Sequence, residues 1–106
     1  MGKYLLQASY TQDGLAGLVN EGGTARKAAL AETIEGAGGS LESLYYAFGK
    51  NDLFIIADLP DDAAATAVSL TIGSAGALSV SVTVLVTPET VDEAIARNVP
   101  YRPPGA

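Results

Sequence analysis

The apolar residues of this chain follow two rhythms, one of every second residue and one of every third or fourth, and each rhythm predicts its own element. Residues 3–10, KYLLQASY, alternate. Tyr4, Leu6, Ala8 and Tyr10 share one face and Leu5, Gln7 and Ser9 the other, which predicts a strand. From Thr11 the spacing lengthens, with Leu15, Leu18, Val19, Ala25, Ala29, Leu30 and Ile34 at helical intervals. GAGG (36–39) stops this helix, because glycine readily takes the left-handed conformation that ends helices. SLESLYYAF (40–48) and LFIIADL (53–59) read as two strands of a hairpin around the turn residues GKND (49–52). Pro60 closes the second strand, and Asp61 or Asp62 caps an alanine-rich helix that runs to about Ser74. ALSVSVTVLV (77–86) is the cleanest strand, with Leu78, Val80, Val82, Val84 and Val86 against Ser79, Ser81, Thr83 and Leu85. Thr87 and Pro88 open a short C-terminal helix, and residues 99–106 form an extended, proline-rich tail.

The resulting order is β-α-β-β-α-β with a small helix appended, an α+β chain of the ferredoxin-like type in one domain over residues 1–98. Right-handed crossovers around a central hairpin place both main helices on one face of an antiparallel sheet. The valines of the last strand then lie under the helices, and Ser79, Ser81, Thr83, Gln7 and Ser9 lie on the bare face. The hairpin strands carry large apolar groups on both faces. Strict alternation sets Leu41, Tyr45 and Ala47 against Leu44, Tyr46 and Phe48, and Leu53 and Ile55 against Phe54 and Ile56. Burying one such side chain is worth roughly 1.5–3 kcal/mol. This pattern predicts a homodimer in which two sheets face each other. The alternative is a monomer whose sheet is partly solvated.

The first helix contains a contradiction. From Thr11 to Gly36 it would run about 39 Å, against about 27 Å for an eight-residue strand. Gly22 and Gly23 interrupt it, each costing about 1 kcal/mol relative to alanine in a helix interior, so a break is expected there. Thr24 is the expected cap of the second segment. Arg26 and Lys27 lie beside the free N–H groups of its first turn, a niche for a carboxylate or phosphate. The plainer reading is a kinked helix with solvated cations, Arg26 pairing with Glu21 or Glu35.

Composition narrows the chemistry. The chain has 12 acidic and 6 basic residues, and the bases are scattered, so it lacks the concentrated positive face that nucleic-acid binding needs. Histidine and cysteine are absent, which removes disulfides, thiolate nucleophiles, imidazole bases and the usual zinc and haem ligands. No metal or cofactor is expected. Neither a secretory signal nor a membrane-length apolar run is read from the sequence, and the expected setting is the cytoplasm. The remaining candidates for a ligand site are Tyr10, Thr24, Arg26, Tyr45, Tyr46 and Asp52, with Glu42 and Asp58 as further carboxylates. A tyrosine joins a broad apolar ring to a hydroxyl that needs a partner when buried. Tyr45 and Tyr46 face opposite ways, so at most one lines any one cavity.

The strings YLLQASYTQDGLAGLVNEGGTAR, GGSLESLYYAFGKNDLFIIADLPD and SAGALSVSVTVLVTPE resemble the GYD domain family across roughly residues 3–97. That resemblance implies a small bacterial protein of the dimeric α/β-barrel type, with no established biochemical activity. The family's Gly-Tyr-Asp signature falls on the hairpin, where this chain reads Gly49-Lys50-Asn51-Asp52, with Asn51 where the tyrosine is expected.

Together these readings point to a homodimer that binds a small molecule, with an organic anion as its suggested ligand. The anionic group would sit at Arg26 and the Thr24 region, and tyrosines would form the wall. Two alternatives stand beside it. One is a cofactor-free isomerase or monooxygenase using Asp52, Asp58 or Glu42 as base. The other is an assembly module without a ligand, which predicts no sizeable cavity.

Overall fold

The alternation at the N-terminus is realised as strand β1 (Gly2–Tyr10), and the computed structural model describes all residues 1–106. The remaining elements are α1 (Gln12–Glu21), α2 (Gly23–Gly36), β2 (Ser40–Tyr46), β3 (Leu53–Leu59), α3 (Asp62–Ser74), β4 (Leu78–Leu85) and α4 (Pro88–Ala96). The four strands form one antiparallel sheet in the order β2-β3-β1-β4, the ferredoxin-like arrangement, with the first crossover split into two helices. The caps follow local chemistry. The side chains of Thr11, Asp61 and Thr87 each accept a backbone N–H at the start of α1, α3 and α4.

Every buried residue is apolar or aromatic, and together they form one layer between sheet and helices. Tyr4, Leu6 and Ala8 of β1 and Leu53, Ile55, Ala57 and Leu59 of β3 supply the sheet side. Leu30 and Ile34 of α2 and Ala65 and Val68 of α3 close it from above, with Leu78 at the β4 edge. The opposite faces of β1 and β3 carry Leu5, Gln7, Phe54 and Ile56, which are only half-buried because no element lies over them.

One prediction about this open face needs correction. Strict alternation puts Leu41 on the same side as Tyr45, but a β-bulge between Leu41 and Ser43 breaks the alternation. Leu41, Leu44 and Tyr46 therefore all pair with the buried residues Ala57, Ile55 and Leu53 on the helix side. Ser43 and Tyr45 face out with Ile56 and Phe54. The extra residue in a bulge moves the side chains that follow it to the other face. The bare face is consequently less apolar than the hairpin sequence suggests. At one end Lys3 spans three strands, reaching Glu42 of β2 at 2.9 Å and Asp58 of β3 at 3.0 Å. Hydrogen bonds to Glu42 first, and then to Asp58, raise the lysine's pKa above its ordinary value.

The helix break is as expected in place and different in detail. Gly22 sits at φ 95° and ψ 157° and serves as both the C-cap of α1 and the N-cap of α2. That conformation is essentially restricted to glycine. Gly23 is explained by space, since a Cβ there would lie 3.2 Å from the Tyr46 ring. Thr24 is not the cap. Helix α2 begins one residue before it, no side chain caps that end, and Thr24 is exposed within the first turn.

Beyond β4 the chain leaves the body. Helix α4 has no buried residue, and Val91, Ile95, Val99 and Tyr101 are exposed. The radius of gyration is 16.9 Å, against about 13 Å for a compact chain of this length, and the longest axis is 56 Å.

Gly22→Ala is expected to lower stability by about 1–3 kcal/mol in chemical denaturation, the typical cost of forcing a side chain into this backbone region. Gly73→Ala, in a helix with open space around it, is expected to leave stability unchanged or raise it by up to about 1 kcal/mol.

Candidate functional site

The break at Gly22 separates α1 from α2, and α1, which follows β1 directly at Thr11, lines clefts with Tyr10 at one end of the sheet. The helix is tied at its start, where the Thr11 N–H donates to the Ala77 carbonyl at 3.0 Å and the Thr11 hydroxyl to the Gly76 carbonyl at 3.0 Å. Its far end closes on itself at Gly22, whose N–H makes the helix's own last-turn bond to the Leu18 carbonyl at 2.7 Å. Between these ends no residue of α1 is buried. Helix α1 therefore rests on the sheet end as a roof and contributes nothing to the core.

Tyr10 lies under it, the last residue of β1 and on the helix side of the sheet. Its backbone is fixed by Asp52, whose Oδ2 accepts the Tyr10 N–H at 2.8 Å. Asp52 also extends the β1–β3 pairing by donating its own N–H to the Ala8 carbonyl at 2.8 Å, and it receives the Ala47 N–H on its carbonyl at 2.8 Å. Beside Tyr10 the Tyr46 hydroxyl donates to the Gly23 carbonyl at 2.9 Å, which locks the hairpin to the helix break.

The Tyr10 hydroxyl is buried and makes no hydrogen bond of good geometry, alone among the buried side-chain polar atoms, although Arg26 and the Tyr46 hydroxyl lie close enough to interact with it weakly. An unpaired buried hydroxyl costs about 1–3 kcal/mol, so this one is poised to accept a partner. Burial raises its pKa above the ordinary tyrosine value; the neighbouring Tyr46 adds to the rise, and Arg26 pulls against it. Burial likewise raises that of Tyr46, with Arg26 and Tyr10 opposing. Arg26 is thus within electrostatic reach of both hydroxyls. Its ion pair with Glu21 is loose, at 3.6 Å from Nη1 to Oε2.

Two clefts open along the flanks of α1. The first, about 540 Å³, is mixed in character and holds the charged side chains of Asp13, Glu21 and Arg26 together with the Ala75–Ala77 loop. The second, about 400 Å³, is apolar, with Leu15, Tyr46, Ala47 and Phe48 around the carboxylate of Asp52. Tyr10 and Leu18 are the two residues common to both. Both volumes fall within the roughly 300–1,000 Å³ usual for ligand sites. Phe48 is fully exposed and so forms the rim of the second cleft, not its floor.

Four of the six sequence candidates converge here: Tyr10, Arg26, Tyr46 and Asp52. Thr24 is exposed and lines neither cleft. Tyr45 projects from the open face at 73% exposure, on the opposite side of the sheet from Tyr46. Glu42 and Asp58 are held by Lys3 on that same open face and do not reach the clefts. Asn51 also turns that way, with its Oδ1 3.4 Å from the Ser9 hydroxyl. Sequence reasoning did not select Asp13 or the Ala75–Ala77 loop, which meets α1 through a contact 66 residues apart along the chain. Among His, Cys, Asp and Glu side chains no group of three converges as metal ligands would, and no helix is long and apolar enough to cross a membrane.

The family model described as GYD domain matches residues 4–95 of the 106-residue chain, and the chain belongs to that family. No curated protein and no solved structure matches it.

The two tyrosines are expected to respond oppositely to loss of the hydroxyl. Tyr46→Phe removes a made hydrogen bond and should cost about 0.5–1.5 kcal/mol in denaturant unfolding; Tyr10→Phe removes an unmade one and should be neutral or stabilising. Their raised pKa values also set a pH dependence. Below about pH 10 folded and unfolded chains both keep the phenol protons. As pH rises toward the elevated folded values the unfolded chain ionises first, and stability falls. Stability measured from pH 9 to 11 should therefore decline less steeply in Tyr10→Phe than in the wild type.

Proposed function

We propose that this GYD-domain protein is a homodimer that binds a small organic anion under α1. The observation that carries the reading is the Tyr10 hydroxyl, buried without a partner at the wall shared by the two clefts. A folded chain ordinarily pairs its buried polar atoms. A ligand oxygen at this point would satisfy the hydroxyl, and Arg26 stands beside it with donors that its long contact to Glu21 leaves largely uncommitted.

Homodimerisation is supported by the open face of the sheet. Leu5, Phe54 and Ile56 form an apolar strip at its centre, flanked by the hydroxyls of Ser9, Ser79, Ser81 and Thr83. The exposed apolar side chains of α4 and the tail add to the surface that a second copy would cover. An assembly module without a ligand fits less well, because it gives no account of two clefts meeting at an unpaired buried hydroxyl. The enzymatic alternative narrows to Asp52, the one candidate base that lines a cleft, and one of its oxygens is already committed to the Tyr10 N–H.

Thermal-shift measurements against a panel of charged and neutral organic molecules test the ligand reading. Anionic members are expected to raise Tm by several degrees at saturating concentration, and Arg26→Ala to abolish that rise. A flat response to every anion, or an undiminished response in the variant, would refute it. Sedimentation should return twice the 10.8 kDa chain mass, and Ile56→Asp on the open face should return the single-chain mass. A wild-type chain that sediments alone at micromolar concentration would refute the dimer.

A further inference from the structure

The two clefts differ in chemistry, and that difference constrains what can occupy them together. We infer that the ligand is a monocarboxylate with an apolar body, its carboxylate held between Arg26 and the Tyr10 hydroxyl and its body lying along the Tyr10 ring toward Leu15 and Phe48. This rests on the anion-binding reading above and adds the chemical class.

Three observations carry it. The first is the charge balance of the cleft that holds Arg26. Arg26 is the only cation there, and Asp13 and Glu21 are also on its walls. One cation against two carboxylates leaves the cleft with an excess negative charge, so an anion is favoured only where it contacts the guanidinium directly in place of the loose Glu21 pair. A second charge on the same ligand would face two carboxylates with no further cation to offset them. Phosphate monoesters and dicarboxylates are therefore disfavoured, and a planar carboxylate matches the guanidinium fork.

The second observation is the Tyr10 hydroxyl. It is a donor without a well-placed acceptor, and an incoming carboxylate offers lone pairs that Arg26 alone would not exhaust. The third is the apolar cleft on the other side of the same ring. Its walls are mostly apolar, with Leu15, Leu18, Tyr46, Ala47 and Phe48, and its one charged residue is Asp52, so it suits hydrocarbon and repels a second anionic group. Leu18 is the second side chain, with Tyr10, that lines both spaces. It is half-buried on a helix with no buried residue, so moving it aside disturbs no part of the core. Asp13 and Glu21 act in this scheme as specificity determinants, rejecting anions of higher charge.

Titration calorimetry on the full chain with 4-phenylbutyrate, phenyl phosphate, glutarate and acetate tests the class. The wild type is expected to bind 4-phenylbutyrate at least about ten-fold more tightly than any of the other three, over phenyl phosphate and glutarate because they carry a second charge, and over acetate because it lacks the apolar body. In the Asp13→Asn, Glu21→Gln double variant the margin over phenyl phosphate and glutarate should shrink to about two-fold, with the margin over acetate retained. Leu15→Asn, a change at a position 48% exposed that the fold should tolerate, should weaken 4-phenylbutyrate by about five-fold or more and leave acetate unaltered. The inference is overturned if phenyl phosphate or glutarate binds the wild type as tightly as 4-phenylbutyrate, if acetate does so, or if the two sets of variants leave the preferences unchanged. If all four fail to bind while another anion of the thermal-shift panel succeeds, the class is wrong and the anion-binding reading survives. If no anion binds at all, both fall.

Discussion

At Gly22 the backbone adopts φ 95° and ψ 157°, a conformation that a residue with a Cβ strongly resists, and the geometry of the site descends from it. An unbroken helix would run past the end of the sheet with its apolar stripe facing solvent. The break lets α2 place Leu30 and Ile34 in the core and leaves α1 to line the clefts with Tyr10. It also brings the Gly23 carbonyl to the Tyr46 hydroxyl, so the same few residues that interrupt the helix anchor the end of β2. The pair of glycines thus divides two tasks: Gly22 supplies the backbone conformation, and Gly23 supplies the space for the Tyr46 ring.

The sheet serves two surfaces with different demands. On the helix side the buried residues are all apolar or aromatic, with burial falling away toward the β2 and β4 edges, which leaves polar chemistry to the margin where α1 lies. On the other side apolar and hydroxyl residues alternate between strands, and Lys3 ties Glu42 and Asp58 across three of them. Those carboxylates are thereby removed from any part in the clefts. Asp52 is positioned differently. It binds backbone groups on both sides of the sheet end, and in doing so it holds Tyr10 in place while keeping its carboxylate at the cleft wall.

Charge at the site is shared, not concentrated. Arg26 lies near two phenols and reaches Glu21 only at a distance longer than a good hydrogen bond. A guanidinium in that position gives up little when it turns to a ligand, because its existing contact is weak and half-solvated. An unpaired buried hydroxyl next to an under-used cation is an arrangement that stability alone does not favour, and such local conflicts are where function is to be sought.

Much of the fold was legible from the chain. The period-two runs, the turn at 49–52, the helix start at Thr11, the cap at Asp61 or Asp62, the opening of the last helix at Thr87 and the interruption near Gly22 are local signals, because propensity and backbone sterics act within a few residues. Tyr10, Arg26, Tyr46 and Asp52 could be nominated from residue chemistry, and so could Thr24 and Tyr45, which the structure sends elsewhere. The bulge at Leu41–Ser43 was not legible, since it reassigns faces through pairing with β3 and leaves no mark in the composition of β2. Nor were the meeting of α1 with the Ala75–Ala77 loop or the isolation of the Tyr10 hydroxyl, both products of contacts between residues far apart in the chain. The sequence by itself determined which segments are strands and helices and where the first helix must break. Only the tertiary structure decided which side chains converge and which buried oxygen goes without a partner, because convergence depends on packing between distant elements and local backbone preferences carry no record of it.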